Sequence, residues 1–89
     1  MRTFKKMRGI KLTYNEQGLV YFTCLNMKRL SQDTQNRILN LCTEIGGAEY
    51  YQALFAVLTT EESIRSIALS HCVSESQLYK LRKRFYERW

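Results

Sequence analysis

The stretch from Glu62 to Phe85 constrains the fold of this chain more than any other part, because it predicts two short helices separated by a tight break. In the first helix, Ile64, Ile67 and Ala68 recur at helical spacing and form one apolar stripe. A helix this short buries its stripe only if the next element folds back over it. The stretch therefore predicts a compact pair of helices with a small shared core.

The second helix of this pair has a clear start and a strongly basic exposed side. Ser74 is followed three residues later by Gln77, which is the capping-box arrangement that begins a helix. Leu78, Leu81 and Phe85 then fall on one face, and we expect them to point inward. The side chains expected to point elsewhere are Tyr79, Lys80, Lys83 and Arg84.

This pair of helices resembles the helix-turn-helix of bacterial and phage transcription regulators. In that family a small residue in the first helix lets the second helix cross close over it. Ala68 matches that position, and Ile67, Val73, Leu78 and Leu81 match the other apolar positions at the family's spacing. The chain departs from the family at Cys72, where Gly is usual in the turn. The alternative is that the pair serves packing only, as in many three-helix bundles.

The rest of the chain also predicts helices. It contains no proline, and strand-like alternation is scarce. Thr13 and Glu16 form a second capping box, which opens a helix expected to run from Tyr14 to Leu30. The wide apolar face of that helix is assigned to Leu19, Phe22 and Met27, with Val20 and Tyr21 flanking them. Helix is favoured over strand for residues 19–25 because no partner strand is evident.

Two further helices are predicted between residues 31 and 60. Ser31 caps the first, and Gly46 with Gly47 ends it, because Gly readily adopts a left-handed conformation. Its core residues are expected to be Ile38, Leu41, Cys42 and Ile45. The next helix is expected to turn Tyr51, Leu54, Phe55 and Leu58 inward. Thr59 or Thr60 is then predicted to cap the first helix of the pair, with Glu61 and Glu62 in its first turn.

The predicted fold is therefore all-α, a small bundle of about five helices with a C-terminal helix-turn-helix at about residues 61–88. Residues 13–89 form one domain, preceded by a basic, flexible arm at residues 1–12. Residues 31–89 are similar to the C-terminal promoter-reading domain of bacterial sigma factors and of small activators of phages and mobile elements. The resemblance implies a last helix in the major groove, contact with RNA polymerase, and action as a homodimer or beside another DNA-bound protein.

Positive charge is concentrated at both ends of the chain, which has a net charge of +6. Residues 1–12 contain five basic residues and no acid, and residues 78–89 contain five basic residues and one acid. The middle of the chain has four basic and seven acidic residues. This distribution suits a polyanion approached from one side. The arm is interpreted either as a solvated terminus or as a segment that lies along DNA.

The sequence disfavours a membrane protein, a secreted protein, a metalloprotein and an enzyme. No apolar run reaches the roughly 20 residues that span a bilayer, and no signal peptide is evident, so a cytoplasmic protein without membrane contact is expected. Cys24, Cys42 and Cys72 are interpreted as reduced structural thiols. His71 has no second ligand at metal-binding spacing, so no metal site is expected. The sequence contains no Gly-rich phosphate loop, no carboxylate pair in an apolar context and no Ser-centred elbow, so neither a cofactor nor enzymatic activity is expected.

The candidate site residues divide into three groups by position. Candidates for contacts with bases are Glu75, Ser76, Tyr79, Lys80 and Lys83. Candidates for contacts with phosphates are Arg65, Ser74, Gln77, Arg82, Arg84 and Arg88. The third group is the core of the predicted helix-turn-helix, called the hinge core; its members are Ile64, Ile67, Ala68, Val73, Leu78 and Leu81.

The sequence thus predicts a regulator of transcription that binds double-stranded DNA with residues 75–88 in the major groove. Glu75 either accepts a hydrogen bond from cytosine or only complements the helix dipole. The alternative function is a protein-interaction module that docks on RNA polymerase or another acidic partner, with Tyr50, Tyr79 and Trp89 as anchors. In that case the basic ends would steer the encounter.

Overall fold

The computed structural model describes Met7 and residues 9–89, and within them the chain forms four α-helices and no strand. The helices are α1 (Tyr14–Leu25), α2 (Gln32–Thr59), α3 (Ile64–His71) and α4 (Glu75–Arg88), with a 3-10 turn at Met27–Arg29 between α1 and α2. The all-α prediction is confirmed. The predicted count of about five is not shown, because the two helices expected on either side of Gly46 and Gly47 form one interrupted element, α2.

The interruption of α2 lies at the predicted pair of glycines. Gly47 has φ 67° and ψ −174°, a conformation outside the helical region that is almost restricted to glycine. A side chain on Gly46 would place its Cβ 2.9 Å from the backbone nitrogen of Tyr51, which is closer than real contacts allow. Both glycines are therefore required, one by its backbone conformation and the other by the close approach of the following turn.

The helices begin at polar caps, most of them at the predicted residues. Thr13 and Glu16 form the full reciprocal box: the Thr13 N–H donates to Glu16 Oε1 at 2.9 Å and the Glu16 N–H donates to Thr13 Oγ1 at 3.1 Å. The hydrogen bond from the Thr13 N–H, and after it the interaction with the Thr13 side chain, holds the pKa of the Glu16 carboxyl below its usual value. Ser31 and Ser74 accept from the backbone of Thr34 and Gln77. The three predicted caps are confirmed.

The cap predicted for α3 is wrong. Ser63, not Thr59 or Thr60, accepts a hydrogen bond from the Ser66 N–H and precedes the first helical residue. Thr60 instead ends α2, since both its N–H and its hydroxyl donate to the carbonyl of Ala56. Glu61 and Glu62 consequently lie in the linker between α2 and α3 and not in the first turn of α3.

The length predicted for α1 is wrong, and its predicted apolar face is confirmed only in part. Val20 is buried, and Tyr21 and Met27 are half-buried against the core. The helix ends at Leu25, where Asn26 caps it through bonds to the Phe22 carbonyl. Leu19 is 69% exposed and Phe22 is 40% exposed, whereas Gln17, Val20 and Cys24 are buried. The α1 sequence is apolar on more than one side, so periodicity alone did not determine which side packs.

Two adjoining clusters of buried side chains form the core. The main cluster joins α1, α2, the end of α4 and Met7; its members are Met7, Val20, Cys24, Ile38, Cys42, Leu54, Leu58, Leu81, Phe85 and Tyr86. The α3 cluster joins the second half of α2 to α3 and the start of α4; its members are Ala53, Val57, Ile64, Ile67, Ala68 and Leu78. Helix α4 contributes to both clusters and so connects the α3–α4 pair to the rest of the bundle.

The residues predicted to face inward on α2 are divided between full and partial burial. Ile38, Cys42, Leu54 and Leu58 are buried, whereas Leu41, Ile45, Tyr51 and Phe55 are half-buried. Ala53 and Val57, which pack against α3, were not predicted. Among the described residues, no helix is both long enough and apolar enough to cross a membrane.

Candidate nucleic-acid interface

The turn between α3 and α4 has a left-handed residue at Cys72, with φ 56° and ψ 43°. The Cys72 N–H donates to the carbonyl of Leu69 at 3.3 Å, and the Val73 N–H donates to the carbonyl of Ala68 at 3.0 Å. These two bonds form a Schellman motif, which satisfies the last carbonyls of a helix and reverses the chain. The chain therefore turns at the residue where the sequence departs from the usual glycine.

The six residues assigned to the hinge core all lie inside the α3–α4 pair. Ile64, Ile67, Ala68, Leu78 and Leu81 are at most 7% exposed, and Val73 is half-buried against the α3 cluster. Leu81 belongs to the main cluster and not to the α3 cluster. The hinge is thus held from two sides, and the orientation of α4 is determined by packing along its whole inner face.

Four of the five candidates for base contacts share the outward face of α4. Ser76, Tyr79, Lys80 and Lys83 lie on one side of the helix, because 76 to 79, 76 to 80, 79 to 83 and 80 to 83 are all steps of three or four residues. This side is opposite the buried Leu78 and Phe85, and Lys83 on it is half-buried. Ser76 and Lys80 are exposed, and Tyr79 is 43% exposed. These four residues form the outward face of α4. The fifth candidate, Glu75, is half-buried in the first turn of α4 beside the cap Ser74.

The candidates for phosphate contacts are spread over several positions. Arg84 is exposed on α4, Arg65 is exposed on α3, and Gln77 is half-buried. The Arg82 guanidinium is half-buried, 5.4 Å from the ring centroid of Tyr79, at a distance typical of a cation–π contact. Arg82 therefore supports the outward face through Tyr79 instead of extending freely into solvent.

Arg88 is separated from this group by an ion pair. Its guanidinium contacts the Glu44 carboxylate of α2, and both side chains are about half exposed. A phosphate contact by Arg88 would have to compete with Glu44. In this structure Arg88 connects the end of α4 to α2 and does not belong to the outward face.

The described part of the N-terminal arm is held against the domain. Met7 is buried, and Ile10 and Leu12 pack against the main cluster. A Cβ on Gly9 would lie 3.6 Å from Nζ of Lys83, so the segment passes beside the outward face. Met7 and residues 9–12 thus lie against the domain. The flexibility predicted for the arm stays a prediction, and residues 1–6 and Arg8 lie outside the described part.

Gln17 anchors the N-terminal segment, a role that the sequence did not predict. It is fully buried, and its side chain makes three hydrogen bonds to the backbone of Met7 and Leu12. A single glutamine in an otherwise apolar helix face gives little signal in a sequence, because glutamine is usually exposed. Only the position of the arm shows why this polar group is buried.

Trp89 packs on Phe85 of α4 and on Arg37 of α2. Its ring stacks on Phe85 with centroids 5.7 Å apart, and the Arg37 guanidinium lies 4.1 Å from the Trp89 ring centroid. Arg37 also donates a hydrogen bond to the Trp89 carbonyl. Of the three anchors considered for a protein partner, Tyr79 is exposed, whereas Tyr50 and Trp89 are half-buried.

The thiols and the histidine add no reactive site to this surface. Burial raises the pKa of the Cys24 and Cys42 thiols to about 12, and the neighbouring Cys24 adds to the shift at Cys42. Both groups therefore stay protonated near neutral pH and are poor nucleophiles. Cys72 and His71 are exposed at the turn. In the described part of the chain, His, Cys, Asp and Glu form no cluster of three that could hold a metal ion.

Comparisons with protein-family models, with curated proteins and with solved structures find no match to this chain. The resemblance to helix-turn-helix regulators therefore stays a prediction carried by residues 62–85.

Proposed function

We propose that this protein binds double-stranded DNA, with α4 in the major groove, and regulates transcription. The observation that carries the proposal is the outward face of α4, where Ser76, Tyr79, Lys80 and Lys83 project from a helix fixed by two core clusters. An α-helix fits the width of the major groove, and side chains on one helical face reach successive base edges. A rigid helix of this kind presents its side chains without further ordering.

Positive charge around the outward face supplies the part of the affinity for DNA that does not depend on the base sequence. Arg84 lies on the same helix, and Arg65 and Lys11 are exposed on neighbouring elements. Binding that neutralises about six phosphates weakens with salt at a log-log slope near −5. Glu75, at the first turn of α4, either accepts from a cytosine amino group or stabilises the helix by its charge.

The first test is the double variant Lys80→Glu/Lys83→Glu. Reversing two charges on the outward face replaces attraction by repulsion, and we expect affinity for duplex DNA to fall about 100-fold or more. Fluorescence anisotropy with labelled random-sequence duplex at low and moderate salt measures the effect. Far-UV circular dichroism checks that helix content is unchanged.

A matched control separates the outward face from the net charge of the protein. The variant Lys28→Glu/Arg29→Glu changes the net charge equally, but its residues lie in the 3-10 turn between α1 and α2. We expect this control to lose less than about 10-fold in affinity. Equal losses in the two variants would mean that only net charge matters, and unchanged affinity after Lys80→Glu/Lys83→Glu would refute the proposal.

The second candidate function is a protein-interaction module that docks on RNA polymerase or another acidic partner. The observation that favours it is the exposure of large apolar residues on α1, where Tyr14 is 55% exposed and Leu19 is 69% exposed. Apolar side chains that are exposed together on one face form a contact surface for a partner. A wild-type protein with no measurable affinity for duplex at low salt would favour this candidate over DNA binding.

A further inference from the structure

We propose that Gln17 is a positioning residue that holds the basic N-terminal segment beside α4, so that Lys11 becomes part of the DNA-binding surface. This inference rests on the proposed DNA binding and adds a second element to its surface. It concerns Met7 and residues 9–12, which are described, together with Gln17 of α1 and Lys83 of α4.

The hydrogen bonds of Gln17 connect the two ends of this segment. Oε1 accepts from the Met7 N–H at 2.7 Å, and Nε2 donates to the Met7 carbonyl at 3.3 Å and to the Leu12 carbonyl at 3.0 Å. One side chain thus holds residues 7 and 12 together. Among the described residues it is the one buried polar side chain, and losing its partners would leave unsatisfied polar atoms in the core.

The segment between these two anchors runs next to the outward face of α4. Gly9 has φ 79°, a conformation that side chains rarely adopt, and a Cβ there would lie 3.6 Å from Nζ of Lys83. Lys11 follows Gly9 by two residues, so their Cα atoms are at most about 7 Å apart. Lys11 is exposed, whereas Met7, Ile10 and Leu12 face the main cluster. The segment therefore turns its apolar side chains inward and Lys11 outward, close to Lys83.

Because Gln17 holds this segment in place in the free protein, the segment does not have to become ordered when DNA binds. Each backbone residue that becomes ordered loses conformational entropy, which lowers affinity when the ordering accompanies binding. With Gln17 in place, that cost is met in the free protein. An apolar residue at position 17 would fill the core but would not determine where Met7 and residues 9–12 lie.

The test is a double-mutant cycle between positions 17 and 11. Gln17→Met keeps an unbranched side chain of similar size but removes all three hydrogen bonds. We expect Lys11→Gln to weaken binding to random-sequence duplex about 5- to 10-fold in the wild-type background and less than 2-fold in the Gln17→Met background. Gln17→Met alone should weaken binding by a similar factor and lower the salt slope by about 1.

Gln35→Met is the matched control, because Gln35 also donates a side-chain hydrogen bond to a backbone carbonyl, that of Leu30 at the start of α2. It should leave the salt slope and the effect of Lys11→Gln unchanged. Hydrogen exchange of the Met7 amide reports the anchoring directly, and its protection should be lost in Gln17→Met but kept in Gln35→Met.

Three outcomes are decisive. If the Met7 amide loses protection in Gln17→Met but affinity and salt slope stay at wild-type values, the inference is overturned while DNA binding stands. Lys11→Gln, which tests an exposed residue and does not depend on how well the Gln17 variant folds, overturns it if affinity is unchanged. A wild-type protein that binds no duplex overturns the proposed function and this inference together.

Discussion

At Cys72 a residue with a side chain occupies a backbone conformation that favours glycine. The left-handed region costs an ordinary residue about 1–2 kcal/mol, because its Cβ crowds the following carbonyl. The Schellman bonds to Leu69 and Ala68 hold Cys72 there nonetheless. The Cys72 side chain is exposed, and its one polar contact is a sulfur 4.0 Å from the Leu69 carbonyl, so it compensates little of this strain.

Cys72→Gly is therefore expected to stabilise the protein. Relief of the left-handed strain is worth about 1–2 kcal/mol, and the greater freedom of glycine in the unfolded chain removes about 0.4–1 kcal/mol. The net expectation is a rise of about 0.5–1 kcal/mol in the free energy of unfolding, measured by urea denaturation under reducing conditions. Ser70→Gly, at an exposed helical position of α3, should instead lower it by about 0.5 kcal/mol. A loss of stability in Cys72→Gly would contradict this account of the turn.

Local residue chemistry explains which features of the fold were predictable from the sequence. The caps at Thr13, Ser31 and Ser74 and the break at Gly47 depend on neighbours within a few residues, and all four were predicted. The inward face of α1 depends on Gln17, whose partners lie up to ten residues away. Periodicity carries no information about such a contact.

The candidate site, too, was predictable from the sequence only where it depends on residues close together in the chain. The spacing on α4 sufficed to group Ser76, Tyr79 and Lys80 on one face. The pairing of Arg88 with Glu44 joins residues 44 positions apart, and the approach of Gly9 to Lys83 joins the two ends of the chain. Both contacts arise from tertiary packing, so local sequence patterns could not predict them.

At the scale of the element, α2 depends on two adjacent glycines for different reasons. A Cβ on Gly46 would meet the nitrogen of Tyr51 at 2.9 Å and its Cα at 3.0 Å, and backbone atoms cannot move aside as a flexible side chain can. A Cβ on Gly47 would meet nothing within 4 Å, but its φ of 67° disfavours any side chain. Steric contact constrains the first position, and backbone conformation constrains the second.

Alanine substitutions at the two glycines should both destabilise the protein. Gly47→Ala is expected to lower the free energy of unfolding by about 1–3 kcal/mol, because the residue must keep its conformation or α2 must straighten. Gly46→Ala is expected to lower it by at least about 1 kcal/mol through displacement of the turn at Tyr51. Asn40→Ala, at an exposed helical position of α2, should change it by no more than about 0.5 kcal/mol. Urea denaturation measures all three, and wild-type stability of Gly47→Ala would show that the break in α2 is not needed.

At the scale of the whole molecule, α4 connects the α3 cluster to the main cluster. Leu78 lies in the α3 cluster, whereas Leu81, Phe85 and Tyr86 lie in the main cluster, all within three turns of one helix. Helix α4 therefore cannot separate from α3 without also disturbing the contacts of its second half. This continuity also fixes the outward face relative to the arm beside Lys83. Unfolding should consequently be a single cooperative transition.

Leu78→Ala tests this cooperativity because it perturbs one cluster while Trp89, the one tryptophan of the sequence, reports on the other. The loss of a fully buried leucine should cost about 2–5 kcal/mol, a large part of the roughly 5–15 kcal/mol that stabilises a small domain. If the two clusters unfold together, the midpoints from Trp89 fluorescence and from far-UV circular dichroism shift equally. Leu69→Ala, on a residue 74% exposed, should leave both midpoints in place. A shift in circular dichroism with an unchanged Trp89 midpoint would instead show that the α3 cluster unfolds by itself, and α4 would then not hold its outward face rigidly for DNA.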